Sequence, residues 1–195
     1  MFCSKGEIIT RTFKMNTQKP IKVPYYEPQK NLADQIKHSS DKRGVSKSKF
    51  VLKKLKNYIL SSLAYNCPIN KLRVKFHRMR GVNIGEGVMI GFRCTLDHAY
   101  PEYIHLEDYS ALAGDVYIIT HSNPYKHFRG RLLSYVAPVI IREGAWVGIN
   151  ATILPGVEIG KHSVVGAGAV VTESVPENVV VSGNPAVIIK RFEEI

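Results

Sequence analysis

The sequence predicts an all-β solenoid, a coil of short parallel strands stacked on a fixed repeat. Three observations predict it. Six apolar residues stand six apart without a break: Ile141, Val147, Ile153, Ile159, Val165 and Val171. A smaller partner precedes each by two positions: Val139, Ala145, Ala151, Val157, Ser163 and Ala169. Gly148, Gly160 and Gly166 follow their rungs directly. A period of six is neither the 3.6 of a helix nor the 2 of an ordinary strand. It makes each side of a triangular coil one short strand, with three sides to a turn.

Residues 1–46 precede this coil as a polar, basic segment that Pro20, Pro24 and Pro28 keep irregular. They are expected to form a flexible N-terminal segment. Residues 47–80 read as an amphipathic helix and a basic connector. Val51, Leu55, Ile59 and Leu63 fall on one helical face, which Phe50, Leu52, Tyr58 and Leu60 widen. Lys47, Lys49, Lys53, Lys54 and Lys56 crowd its first half, and Pro68 stops it. Two uses are open for such a helix: packing on the end or flank of the coil, or resting on an anionic membrane. The connector carries a second basic patch, Lys71, Arg73, Lys75, Arg78 and Arg80.

The coil domain runs over residues 81–195 and starts near Val82. Ile84, Ile90 and Leu96 are spaced by six, as are Leu106, Leu112 and Ile118. The step from Leu96 to Leu106 is ten, so four extra residues lie in HAYPEY. The step from Ile118 to Ile141 is 23, so an excursion leaves the coil over residues 122–138. Insertions in a solenoid emerge as loops, often on the binding face. After Val171 the period stops, and VPENVVVSGNPAVIIKRFEEI reads as a closing strand and short tail.

Charge separates the two parts. Residues 1–80 hold 19 of the 27 Lys and Arg but 4 of the 16 Asp and Glu. The coil is mildly acidic, which argues against a nucleic-acid binder. Cys3, Cys67 and Cys94 are scattered, without a CxxC pair, and suggest reduced thiols and a cytoplasmic home. No run of 18 apolar residues exists, and MFCSKGEIITRTFK lacks the apolar core of a secretory signal.

The stretch VGINATILPGVEIGKHSVVGAGAVVTESVPENVVVSGNPAVIIKR resembles the hexapeptide-repeat acyltransferases, in the branch of maltose, galactoside and capsular-sugar O-acetyltransferases. ILPGVEIG, GAGAVVT and the closing SGNPA carry the resemblance, which covers about residues 81–191. It implies a left-handed parallel β-helix and a homotrimer with active sites in the clefts between subunits. It also implies acetyl-CoA as donor, no metal, and a sugar or lipid-linked saccharide as acceptor. An enzyme of polysaccharide-precursor synthesis would work in the cytoplasm, or peripherally at the inner membrane surface through the basic helix.

The resemblance also implies site residues. A histidine at the end of a coil, just before a loop, is the general base in these enzymes, and YIITHS puts His121 there. An imidazole near its ordinary pKa of about 6.5 is mostly unprotonated at neutral pH, yet basic enough to take a hydroxyl proton as attack develops. LDHA, residues 96–99, resembles the Asp-His element of serine acetyltransferases, where that histidine is the base. The surrounding YPEYIHLED instead resembles the sugar branch, in which Asp97 binds the acceptor or orients the imidazole, with His98 beside it. Trp146 matches an aromatic position beside the thioester end of the pantetheine arm, or else packs a coil corner. Gly166 and Ala167 match positions where backbone meets CoA, and Lys190 and Arg191 match residues that meet its phosphates. Where relatives often carry a phosphate-binding lysine this chain has Glu173, which either weakens CoA binding at that spot or shifts that load to Lys190 and Arg191.

Two further classes stay open. The γ-class carbonic anhydrases share the solenoid and hold zinc with three histidines. His98, His105, His121, His127 and His162 supply the count but not the sequence contexts. A non-catalytic scaffold, or a membrane-docked binding protein, would use the basic N-terminal part.

Overall fold

The computed structural model describes residues 21–22, 46–122 and 135–193. Its centre is a coil with three parallel faces. On the first face Asn83–Ile84, Ile104–Leu106, Val139–Ile141 and Glu158–Ile159 stack in register. The second stacks Met89–Ile90, Ala111–Leu112, Trp146–Val147, Val164–Val165 and Val179–Gly183. The third stacks Thr95–Leu96, Tyr117–Ile118, Thr152–Ile153 and Val170–Val171. Each rung of the sequence ladder therefore sits on its equivalent in the neighbouring coil. Ile90, Leu96, Ile141, Val147, Ile153, Ile159 and Val165 are 0% exposed, as are their small partners Ala145, Ala151, Ser163 and Ala169. Each such large aliphatic side chain contributes about 1.5–3 kcal/mol by leaving water.

The corners explain why the period is six. Gly87, Arg93, Tyr109, Asp115, Gly144, Asn150, Gly156, His162 and Gly168 each lie three past a rung, with φ between 54° and 85°. This left-handed region excludes β-branched residues and favours Gly, Asn, Asp and His, which supply most of the set. Leu96 and Ile118 are the interior rungs with no such corner behind them. The four-residue slip follows the first and the excursion follows the second, both as the spacing predicts.

The excursion leaves and returns as a ladder. His121–Ser122 pairs antiparallel with Tyr135–Val136, and residues 123–134 lie outside the described set. Ile21–Lys22 adds a third antiparallel strand to Tyr135–Val136. The expectation of a wholly flexible segment over 1–46 therefore fails at these two residues, because the excursion offers a free strand edge. The rest of residues 1–45 is outside the described set. At the other end, Val179–Gly183 turns back through Ala186–Arg191 as an antiparallel hairpin and closes the second face.

Two helices seal the first coil. Helix α1 is Lys47–Asn66 and helix α2 is Asn70–Arg80, stopped by Gly81 at φ 103°. The basic connector expected over residues 67–80 is thus largely helical. Its arginines are caps. Arg78 Nη2 donates to the carbonyls of Gly85 at 2.6 Å and Ile84 at 3.0 Å. Asn70 bonds Val88 O and Ile90 N, and Arg73 Nε donates to Ile90 O at 2.8 Å. Arg80 Nη2 reaches Leu96 O and Asp97 O. One helix thereby satisfies edge groups on all three faces.

Helix α1 packs chiefly on α2 and touches the Thr95–Leu96 strand. The face expected to pack is not the one that does. Val51, Leu55, Ile59 and Leu63 are 48–54% exposed, whereas Asn57, Leu60, Ser61 and Ala64 are buried. Small side chains on the latter face let the helix approach α2 closely, which the longer aliphatic stripe does not. Among the described residues no helix is long and apolar enough to cross a membrane.

Gly148 and Gly168 separate the two uses of glycine. A Cβ on Gly148 would sit 2.7 Å from Val165 O, against the backbone of the next coil. Gly168 is a corner at φ +68° with nothing within 4 Å of a Cβ. Gly148→Ala is expected to cost about 1–3 kcal/mol by overpacking. Gly168→Asn should stay near wild type, because Asn accepts a left-handed φ. Denaturant unfolding of both variants checks the contrast.

Candidate active site

The two missing corners lie one above the other. Leu96 pairs with Ile118 on the third face, so the chain leaves the coil at the same corner in two successive turns. Asp97 follows the lower rung, and Thr120 and His121 follow the upper one. Asp97 N donates to Ile118 O at 3.0 Å, which continues the ladder by one bond into the site.

Asp97 has a 2% exposed side chain and spends both oxygens within the chain. Oδ1 accepts from Ala99 N at 2.8 Å and Tyr100 N at 3.3 Å, which shapes the four-residue slip. Oδ2 accepts from Thr120 N and Thr120 Oγ1, each at 2.9 Å, and from His121 Nδ1 at 2.5 Å. Burial alone would raise this carboxyl. The bonds from His121, Thr120 and Ala99 outweigh burial and hold it well below the usual carboxylate range. An ionised carboxylate only accepts, so Nδ1 of His121 carries the proton and Nε2 presents its lone pair. The His121 side chain is 35% exposed, open enough to meet a ligand. The ring of Tyr100 stands beside it, with centroids 5.6 Å apart and planes at 59°.

His98 is exposed on the slip, and no hydrogen bond among the described residues joins it to Asp97 or His121. Partial burial first, then the charge of Arg80, outweigh the pull of Asp97 and hold its titration below the usual imidazole value. His105 lies on the first-face strand Ile104–Leu106, and His162 is a coil corner. His127 lies outside the described residues. Among those described, no group of three or more His, Cys, Asp or Glu is gathered as metal ligands would be.

The residues matched to CoA form a separate row on the second face. Trp146 is 53% exposed there, and Gly166 follows that face's rung Val165. Ala167 is exposed at the next corner. Lys190 and Arg191 are exposed on the outermost strand of the same sheet, with Lys190 Nζ 5.6 Å from the Phe192 ring. Gly166 has a packing reason for its size, since a Cβ would sit 2.6 Å from Ser182 Oγ. His121 belongs to a different corner, between the third and first faces. A single chain thus brings Asp97 and His121 together, with His98 nearby, and leaves them off this row.

A first-face depression lined by His105, Glu107, Asp108 and Glu143 shares no residue with the Asp97–His121 pair. Its carboxylates bind Arg142, Lys161 and backbone N–H groups of Glu86 and Glu143. Sequence reasoning missed Thr120, Tyr100 and Arg80 at the site. Thr120 is adjacent to His121 in YIITHS and was legible in principle. Arg80 was hidden inside a run of basic residues.

Comparisons with known proteins agree with this architecture. A family model described as bacterial transferase hexapeptide, six repeats, matches residues 138–173. YvoF of Bacillus subtilis, an acetyltransferase by name only, is 32% identical over 148 residues, covering 74% of this chain and 81% of that protein. The galactoside O-acetyltransferase of Lactococcus lactis is 32% identical over 137 residues, covering 70% and 65%. The crystal structure of a maltose O-acetyltransferase from Clostridium difficile 630 superposes with a TM-score of 0.59 at 28% identity, covering 74% and 88%. The chain spans between 32% and 65% of the length of the first curated relatives it matches.

Beneath the pair, His77 is 1% exposed against Arg80. Burial first, then the charges of Arg80, His98 and Arg73, lower its titration to about 3. In an unfolded chain a histidine titrates near about 6.5. Between these values the unfolded state binds a proton that the folded state lacks, so stability is full above the upper value and falls with pH. The loss from this residue is at most about 1.4 kcal/mol per pH unit. Asp97 acts in the same direction, below about 3.9. Urea unfolding at pH 7.5, 5.5 and 4.5 should show the decline in wild type and a shallower one in His77→Gln. A wild-type slope in that variant would sink the assignment.

Proposed function

Since this chain belongs to the hexapeptide-repeat acetyltransferase family, we propose that it moves an acetyl group from acetyl-CoA to a sugar hydroxyl, with His121 as the general base. The observation that carries the reading is the 2.5 Å bond from His121 Nδ1 to the buried Asp97, at the corner where two successive coils open. That bond leaves Nε2 free to take a proton from an acceptor hydroxyl. The oxygen then attacks the thioester carbonyl, the carbon–sulfur bond breaks, and the thiolate leaves with the proton held on the imidazole. The thioester is already activated, so no covalent enzyme intermediate is required. Asp97 orients the ring and balances the imidazolium that forms. Its own oxygens are saturated, so contact with the acceptor falls to His98, Tyr100 and the excursion.

The donor lies along the second face, with Trp146 beside the thioester, Gly166 and Ala167 against the arm, and Lys190 and Arg191 at the phosphates. That row and His121 occupy different parts of one chain. A homotrimer of left-handed coils, as the family resemblance implies, would set the row of one protomer against the base of its neighbour. Exposed Met89, Val187 and Ile189 on or beside that face supply apolar surface for such an assembly. The acceptor is a free, nucleotide-linked or lipid-linked saccharide.

Helix α1 is the element that meets an anionic membrane surface. Its solvent-facing stripe of Val51, Leu52, Leu55, Tyr58 and Ile59 is 49–66% exposed. By helical geometry Lys49 and Lys56 lie on one shoulder of that stripe and Lys54 on the other, the pattern of a helix lying in the headgroup plane.

In a thiol-release assay with acetyl-CoA and maltose or methyl galactoside, His121→Ala is expected to lower kcat by about 10²–10⁴-fold. His98→Ala should raise KM for the sugar and leave most of kcat. The reverse pattern would move the base to His98 and favour a serine acceptor, which belongs in the same screen. For the membrane, cosedimentation with vesicles containing phosphatidylserine should fall sharply in the double variant Leu55→Gln, Ile59→Gln. Equal binding by wild type and double variant would remove α1 as the docking element.

A further inference from the structure

Helix α2 buries a polar face, Arg73 at 5% exposed, His77 at 1% and Arg80 at 2%. Arg73 and Arg78 cap carbonyls of rungs that lead into regular corners. Arg80 differs in where it reaches. Its Nη2 donates to Leu96 O at 3.0 Å and Asp97 O at 2.7 Å, at the corner that opens into the site. Its Nη1 lies 3.0 Å from His77 Nδ1, and its Nε has no hydrogen-bond partner among the described residues. A buried guanidinium carries a large desolvation cost, and an apolar side chain would fill the space more cheaply if packing were its role.

We propose that Arg80 is a positioning residue for acetyl transfer, holding the main chain of Asp97 so that its carboxylate stays aligned on His121. Asp97 has no left-handed corner behind it to fix its direction. Its carboxylate turns the slip and holds Thr120 and His121, while its carbonyl is tied to Arg80. With both ends held, the residue has one orientation. Without Arg80, two edge carbonyls lose their donor and the peptide after Asp97 is free to rotate. A rotation that moves the imidazole by about 1 Å suffices to cost about 10²-fold in rate.

Electrostatics point the same way. Burial lowers the Arg80 guanidinium and the Asp97 charge offsets part of that, leaving it at about 10, so it stays a cation at neutral pH. A cation beneath the carboxylate favours its ionised form, which keeps the proton on Nδ1 of His121. His77, held neutral, offers Arg80 a lone pair in place of a second positive charge.

The proposal rests on His121 as base, and three arginine variants with His121→Ala separate the two ideas. The assay uses acetyl-CoA with maltose or methyl galactoside, whichever turns over faster, with rates taken per folded enzyme. Arg80→Met is expected to lower kcat by about 10–100-fold with KM for acetyl-CoA unchanged. Arg73→Met, on the same helix face but away from the open corner, should lower the melting temperature and leave kcat unchanged. Arg80→Lys keeps the charge but not the fork, and should fall several-fold in kcat, between Arg80→Met and wild type. It carries the test alone should Arg80→Met fail to fold. Wild-type kcat in Arg80→Lys, or an equal loss in Arg73→Met and Arg80→Met, overturns the proposal. Full activity in His121→Ala removes instead the reading beneath it.

Discussion

A stacked coil of parallel strands has to end somewhere, and where it ends a layer of backbone donors and acceptors faces outward. Water can satisfy them only at the cost of an open edge that invites another strand. In this protein the N-terminal end is closed by side chains: the forks of Arg73, Arg78 and Arg80 and the amide of Asn70 bind the outermost groups of all three faces. The opposite end is closed by backbone, through the hairpin of Val179–Gly183 and Ala186–Arg191. Between these closures the interior is nearly all aliphatic, and the registers of all three faces follow from it.

The charge of the N-terminal part then divides into two kinds. Arginines of α2 turn inward, because a guanidinium bridges two carbonyls in one plane. Lys49, Lys54 and Lys56 of α1 stay outside, on the shoulders of an apolar stripe. Treating residues 47–80 as one basic surface would merge a structural device with a surface property. They sit on different helices and answer to different physics.

The coil from Ile84 to Val171 was legible in sequence, because large, small and glycine positions repeat with one phase, and each violation is visible as a step that is not six; its continuation through Val175 and Val179–Gly183 was not. The slip after Leu96 and the excursion after Ile118 could be located to within a residue or two. Ile118 is the third rung after Leu96, so three sides to a turn already put both at one corner; what spacing could not show was the hydrogen bond between Asp97 and His121. The resemblance offered Asp97 as binding the acceptor or orienting the imidazole, and the stacking of the third face brings it to His121. Helix α2 was illegible for a different reason. Its buried face is Arg73, His77 and Arg80, and a pattern search for apolar periodicity has no way to recognise polar residues as the inward side. The same search chose the aliphatic stripe of α1 as its packing face, whereas closeness of approach selected Ala64 and Ser61 instead.

Asp97 and His121 are 24 residues apart in the chain but adjacent in space because one coil lies on the next. Their separation is therefore inherited from the spacing between hydrogen-bonded strands, about 4.8 Å, a distance that the sheet itself measures out. The connecting segments on either side can lengthen, shorten or change composition while that ruler stays in place. An architecture of this type can exchange the loops around that corner freely and keep one Asp97–His121 geometry throughout.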